Sequence, residues 1–265
     1  MNKRKFLKRL VCFIPSKKLR TVLREKYNLK SLPFSHYGTR YIYNEEESND
    51  LIFKTLNKGK PCFIMRFGRT ELKTIEEFYG KISQPHIHFS KKVKEKMKNN
   101  SGFFPPTDEK LTRFCCESLD VLANADMFAC WNFYNDFECR LVEKHNKIGS
   151  VISIAALGDT VPFIKNPWTR YLKGKKVLVI HPFESTIQKQ YQIREKLFKN
   201  PLALPEFDLK TIKAVQGLGG SQEIENYTDW FDALDSMCRQ IDKTDFDIAL
   251  IGAGAYGMFL GDYVK

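Results

Sequence analysis

The chain has no CxxC pair, no apolar run approaching the roughly 20 residues that a membrane-spanning helix needs, and no small-residue cleavage site behind its first apolar residues. Its seven cysteines (Cys12, Cys62, Cys115, Cys116, Cys130, Cys139, Cys238) stand mostly among apolar neighbours, as in Lys60-Pro61-Cys62-Phe63-Ile64-Met65. That argues against disulfides and zinc and for reduced core thiols in a cytosolic protein. Internal repeats and low-complexity segments are also missing.

Positive charge, in contrast, is in excess, and it is concentrated. The formal net charge is +12, yet residues 1–27 hold ten Lys or Arg against one acid, Glu25, and so account for +9 of it. Phe6, Leu7, Leu10, Val11, Phe13, Ile14, Leu19, Val22 and Leu23 stand between the basic residues, an amphipathic pattern that Pro15 divides into two short helices. We expect this segment to rest on an anionic membrane surface, where each Lys or Arg contributes about 1 kcal/mol. The alternative is a solvated helix packed on the domain. The remainder has no basic stripe and no nucleic-acid module, so nucleic acid is not an expected partner. The chain divides into a membrane-associating segment, 1–30, and one domain, 31–265, long enough for a sizeable core.

Apolar runs alternate with helical patterns along that domain. Strands are expected at 61–66, 127–131, 151–155, 177–180, 209–215 and 247–251. Helices are expected at 45–56, 70–79, within 82–110, at 108–122, 185–198 and 227–241, and after the last strand. Val177–Ile180 and Ile248–Ile251 are unbroken apolar runs, the pattern of parallel strands buried on both faces. The alternation predicts an α/β fold built on a doubly wound, mostly parallel sheet. The sequence stops inside what should be a crossover helix, so either the sheet closes there or the sequence is a piece of a longer protein.

Open α/β sheets bind ligands at the carboxyl ends of their strands. Arg66-Phe67-Gly68-Arg69-Thr70-Glu71 falls there. Arg66 is suited to grip a diphosphate and Glu71 to hold a metal or a sugar hydroxyl, the alternative being a structural ion pair at Arg66. His181-Pro182-Phe183-Glu184 follows another strand, with His181 suited to contact phosphate or an acceptor hydroxyl and Glu184 to act as a base. Gly252-x-Gly254-x-x-Gly257 has the form of a dinucleotide fingerprint. Only eight residues follow it, too few for the acid about 20 positions on that would hold a ribose, which disfavours an oxidoreductase. A phosphate cradle and tight helix–strand packing remain. Asp247 is a weaker candidate for acceptor activation. Trp131, Trp168, Tyr191 and Trp230 fit core packing better than stacking on a base or sugar.

At these segments the sequence resembles a bacterial family of GT-D-fold glycosyltransferases of polysaccharide and glycoprotein glycan biosynthesis. The resemblance covers about residues 45–265 and rests on four blocks: Phe63-Ile-Met-Arg66-Phe-Gly68-Arg-Thr-Glu71-Leu72; Asn166-Pro-Trp168 with Gly174 through Phe183; Gln190-Tyr191; and Asp245 through Gly257. It implies one Rossmann-like domain that takes a sugar from a nucleotide-sugar, usually a UDP-sugar, and passes it to a glycan or lipid-linked acceptor. For this chain it also implies a place on the cytoplasmic, inner face of the bacterial membrane. The family's first block reads Arg-x-Gly-Asp-x-Glu, and its two acids help bind Mn²⁺ or Mg²⁺. Arg66, Gly68 and Glu71 match by position, and Arg69 replaces the Asp. Either Glu71 holds the ion with other carboxylates, or Arg69 neutralises the leaving diphosphate. The assignment that follows gives Glu71, Glu184 and Asp247 catalytic roles and Glu71 the metal. It gives Arg66, Gly68, Arg69, His181, Gly252, Gly254, Tyr256 and Gly257 the nucleotide. The family continues beyond the Gly-rich loop with segments this sequence does not contain, which keeps a catalytically degenerate, membrane-associated scaffold as the rival reading.

Overall fold

A computed structural model describes residues 36–37, 40–131, 136–144, 148–217 and 222–265. The basic leader, with the membrane expectation placed on it, lies outside those residues. In chain order the elements are β1 (His36–Tyr37), β2 (Arg40–Tyr43), α1 (Glu45–Leu56), β3 (Ile64–Met65), α2 (Arg69–Tyr79), α3 (Lys91–Ser101), α4 (Asp108–Asn124), β4 (Met127–Cys130), α5 (Asp136–Lys144) and β5 (Ser150–Ser153). They continue with β6 (Lys176–His181), α6 (Glu184–Tyr191), β7 (Asp208–Lys213), α7 (Trp230–Ile241), β8 (Ile248–Ile251) and α8 (Tyr256–Val264).

The class is α/β, and the pairing is parallel as the alternation predicted, but the strands form two sheets. β2, β5, β4 and β3 lie in that order in one parallel sheet, with β1 antiparallel on β2. β7, β6 and β8 form the other. β3 contributes only two residues, both paired with β4, and no ladder among the described strands joins it to the second sheet.

The two sheets nonetheless share two cores. Along β3, β4, β6 and β8 successive side chains go to opposite faces. Met65, Phe128, Cys130, Leu178, Ile180 and Ile251 pack on one face, and Ile64, Met127, Ala129, Val177, Val179 and Leu250 on the other. The first face is covered by α2, α4, α7 and α8 through Ile75, Phe114, Trp230 and Phe259. The second is covered by α1 and the turns at 154–172 through Ile52, Ala156, Trp168 and Leu172. Cover on both faces is why these strands read as unbroken apolar runs.

The course of α8 fixes the relative direction of the sheets. It leaves the carboxyl end of β8 and finishes at the amino ends of β3 and β4, where Lys265 Nζ donates to Asn124 O (2.7 Å) and pairs with Asp126 (2.9 Å). The strands of both sheets therefore end on one rim. Gly261 lies against the Phe63 ring, and a Cβ there would come within 2.3 Å of Cε2. Gly261→Val is accordingly expected to cost about 1–3 kcal/mol by overpacking, read as a lower urea midpoint with an unchanged slope.

Two boundaries differ from expectation. The helix expected to run to Phe198 stops at Tyr191, whose hydroxyl accepts from Phe207 N (2.6 Å) and donates to Phe207 O (2.9 Å) while its ring stacks on Phe207. α7 begins at Trp230, three residues late, because Asp229 caps it by accepting from Phe231 N and Asp232 N. The six described cysteines are free thiols. Burial, with Glu138 nearby, pushes the Cys130 thiol up to about 12. Among the described residues no helix is long and apolar enough to cross a membrane.

Candidate functional site

Among the described residues four helices begin at the shared rim: α1 after β2, α2 after β3, α6 after β6 and α8 after β8. Asn44 caps α1, and the other three have no side-chain N-cap. Away from the rim α3, α4 and α7 are capped by Ser90, Thr107 and Asp229. The rim thus gathers helix starts whose first-turn N–H groups lack a side-chain acceptor, together with the positive ends of their dipoles.

At the first start, Phe67 turns into the core while Arg66 and Arg69 stay exposed. Both guanidinium groups lie over Trp131, with Cζ 5.5 and 5.6 Å from the ring centroid. Trp131 follows β4, the neighbouring strand, and its indole N–H donates to Phe67 O (2.9 Å), so the same residue holds the turn and braces both arginines. Glu71 is only 7% exposed, and its carboxylate lies against the Gly68 Cα: a Cβ on residue 68 would stand 1.8 Å from Oε2. Glycine at 68 leaves the room that this carboxylate occupies. Among the described residues Glu71 forms no hydrogen bond or ion pair, and none of them makes the structural ion pair weighed for Arg66.

At the second start, His181 ends β6 and its Nδ1 accepts from Phe183 N (3.0 Å), which leaves Nε2 to carry the proton of the neutral ring. The imidazole lies on Gly252, where a Cβ would come within 2.5 Å of Cδ2. Gly252 is therefore needed to admit His181. Gly254 is needed for its backbone, with φ at +58°. Gly257 makes only ordinary contact with Ile251. Glu184 is the half-buried first residue of α6.

Two assignments are corrected by these positions. Tyr256 is buried and stacked on Trp230 (4.5 Å between centroids, 4° between planes), so its ring belongs to the core and not to a nucleotide surface. Burial, with Tyr227 and Asp229 nearby, pushes its phenol up. Asp247 precedes β8, at the amino end of the sheet, about 13 Å of strand away from the rim. Its carboxylate accepts from Lys176 N (2.8 Å) and its N–H donates to Lys176 O (2.8 Å). Asp247→Ala is expected to cost about 1 kcal/mol of stability and to leave nucleotide affinity unchanged, which paired thermal melts and titrations check.

The arrangement brings Arg66, Gly68, Arg69 and Glu71 together with Trp131, and His181 and Glu184 together with Gly252–Gly254, as two groups on one rim. Trp131 is the member missed as a site residue. The signal for it was an aromatic at the end of the strand next to the arginine turn. At the arginine turn Glu71 is the one carboxylate among the described residues, with Arg69 beside it, and no group of three His, Cys, Asp or Glu poised for a metal occurs among the described residues. No protein-family model, curated protein or solved structure matches the chain.

Proposed function

We propose that the rim binds the diphosphate of a nucleotide-activated sugar of the UDP-sugar class, and that the chain is a glycosyltransferase delivering the sugar to a glycan or lipid-linked acceptor. One observation carries this reading: uncapped helix starts coincide with two exposed arginines on a single rim of the sheets. Diphosphates are held by such N–H groups and by guanidinium forks. In this reading the two sheets, with their shared cores, are the halves of a doubly wound, Rossmann-like GT-D domain. The leader, 1–30, holds that domain on the inner face of the bacterial membrane.

As the bond from the sugar's anomeric carbon to the diphosphate oxygen breaks, negative charge grows on the departing nucleoside diphosphate. Arg66, Arg69 and the start of α2 stand ready for that charge, which is the condition for selective transition-state stabilisation. The buried carboxylate of Glu71 accepts from a sugar hydroxyl, and it has no hydrogen-bond partner among the described residues to compete for that bond. His181 Nε2–H donates to a phosphate oxygen. Glu184 takes the proton of the acceptor hydroxyl as its oxygen bonds to the anomeric carbon.

Calorimetric titration of the chain with UDP, a panel of UDP-sugars and NAD tests the reading. One UDP-sugar is expected to bind, and to bind more weakly after Glu71→Ala. Binding of NAD alone would contradict the reading, and binding of neither class would favour the scaffold.

A further inference from the structure

Four exposed apolar side chains form a surface that neither site group uses. Phe163 is 87% exposed, and Ile193, Leu197 and Phe198 are also exposed. The end of α6 at Tyr191 releases residues 192–199 into a tight turn, with Lys196 N donating to Ile193 O (2.9 Å) and Leu197 N to Arg194 O (3.1 Å), and no residue of that stretch is buried. Asn200 fastens the stretch beside Phe163, its Nδ2 donating to Ile164 O (2.8 Å) and Lys165 O (3.2 Å). The loop that carries Phe163 and the stretch that carries Leu197 and Phe198 are thus held beside one another.

Their surround is basic. Lys165, Lys189, Lys196 and Lys199 are exposed and form no ion pair among the described residues, and positions 189–199 hold four basic residues against one acid, Glu195. The geometry points to a membrane-docking surface for anionic phospholipid, with Phe163, Leu197 and Phe198 entering the headgroup boundary and Lys165, Lys196 and Lys199 meeting lipid phosphates. A second copy of this chain would bring a like-charged surface to it, and so would the chain's own basic leader. Exposed phenyl rings with exposed lysines next to them in the same two loops match an anionic interface on both counts. This surface is built from residues outside the leader and does not rest on the sugar-nucleotide reading, so it stands or falls independently of that reading.

The test is local, so that the leader does not confuse it. Phe163→Trp in the full chain adds an emitter at the centre of the surface, at a position exposed enough to leave the fold intact. With vesicles of phosphatidylcholine and phosphatidylglycerol carrying brominated acyl chains, the added emission is expected to shift blue and be quenched, and with phosphatidylcholine alone to stay unchanged. Adding Lys196→Ser and Lys199→Ser is expected to weaken the quenching titration on the order of thirtyfold. The proposal is overturned if the chain binds the anionic vesicles while the added emission stays unquenched, or if it does not bind them. It is equally overturned if the emission shifts with protein concentration in the absence of lipid, which would assign the surface to self-association.

Discussion

Replacing Arg66 and Arg69 together by alanine is expected to lower the affinity for UDP by about two to four orders of magnitude, since a hydrogen bond to a charged group is worth about 1.5–3 kcal/mol. Each guanidinium is exposed and braced against Trp131, which limits the orientations it must give up on binding. The loss on Arg66→Lys should be intermediate, because charge is kept while the planar fork is not. Folding stability should change little on Arg66→Ala alone, as a cation–π contact at an exposed site contributes only about 0.5–1 kcal/mol. Titration calorimetry reads the first effect and a thermal melt the second. An unchanged affinity in the double variant would remove the arginines from the site.

The largest effect on stability is expected at Trp230. It is fully buried, stacks on Tyr256 and meets Phe103, Phe114, Phe231 and Phe259, so it joins α3's exit, α4, α7 and α8 in one cluster. Trp230→Ala should cost about 3–5 kcal/mol, a fall in Tm of roughly 6–20 °C for a chain of this size. Trp230→Phe should recover much of that, because it keeps a stacked ring and removes an indole N–H that has no hydrogen-bond partner in the core. Tyr256 opens α8 directly after Gly252–Ala255, so the alanine variant should also loosen the Gly-rich turn and weaken nucleotide binding. A denaturant melt with a midpoint within experimental error of the native chain would contradict this account of the core.

The class of the fold was legible because the strands run through two covered faces, which imposes unbroken apolar runs such as Val177–Ile180. The division into two sheets was not legible. It depends on how few residues β3 pairs, and Phe63–Met65 reads equally well as part of a longer strand. The early end of α6 was hidden for a similar reason: what stops it is the bond of Tyr191 to Phe207, sixteen residues away, while Gln192–Phe198 still looks helical. The strand-end rule put Arg66–Glu71, His181–Glu184 and Gly252–Gly254 at the carboxyl ends of strands, and those segments follow β3, β6 and β8. It misled at Asp247, which belongs to the start of a strand, and at Tyr256, where a motif position coincided with a core ring. Glycine at 68 and 252 was read as backbone access for a phosphate. In the structure each also leaves room for one side chain, the Glu71 carboxylate and the His181 imidazole.

The central claim is that protein cations and helix starts, without a resident divalent ion, hold the diphosphate. Titration of the native chain and the Arg66→Ala/Arg69→Ala variant with UDP, once in a chelator and once with Mn²⁺, addresses it directly. The account predicts that the native chain binds in the chelator, that Mn²⁺ changes its affinity by no more than a few-fold, and that the variant loses binding under both conditions. UDP binding that appears only with Mn²⁺, or that survives in the double variant, would contradict it.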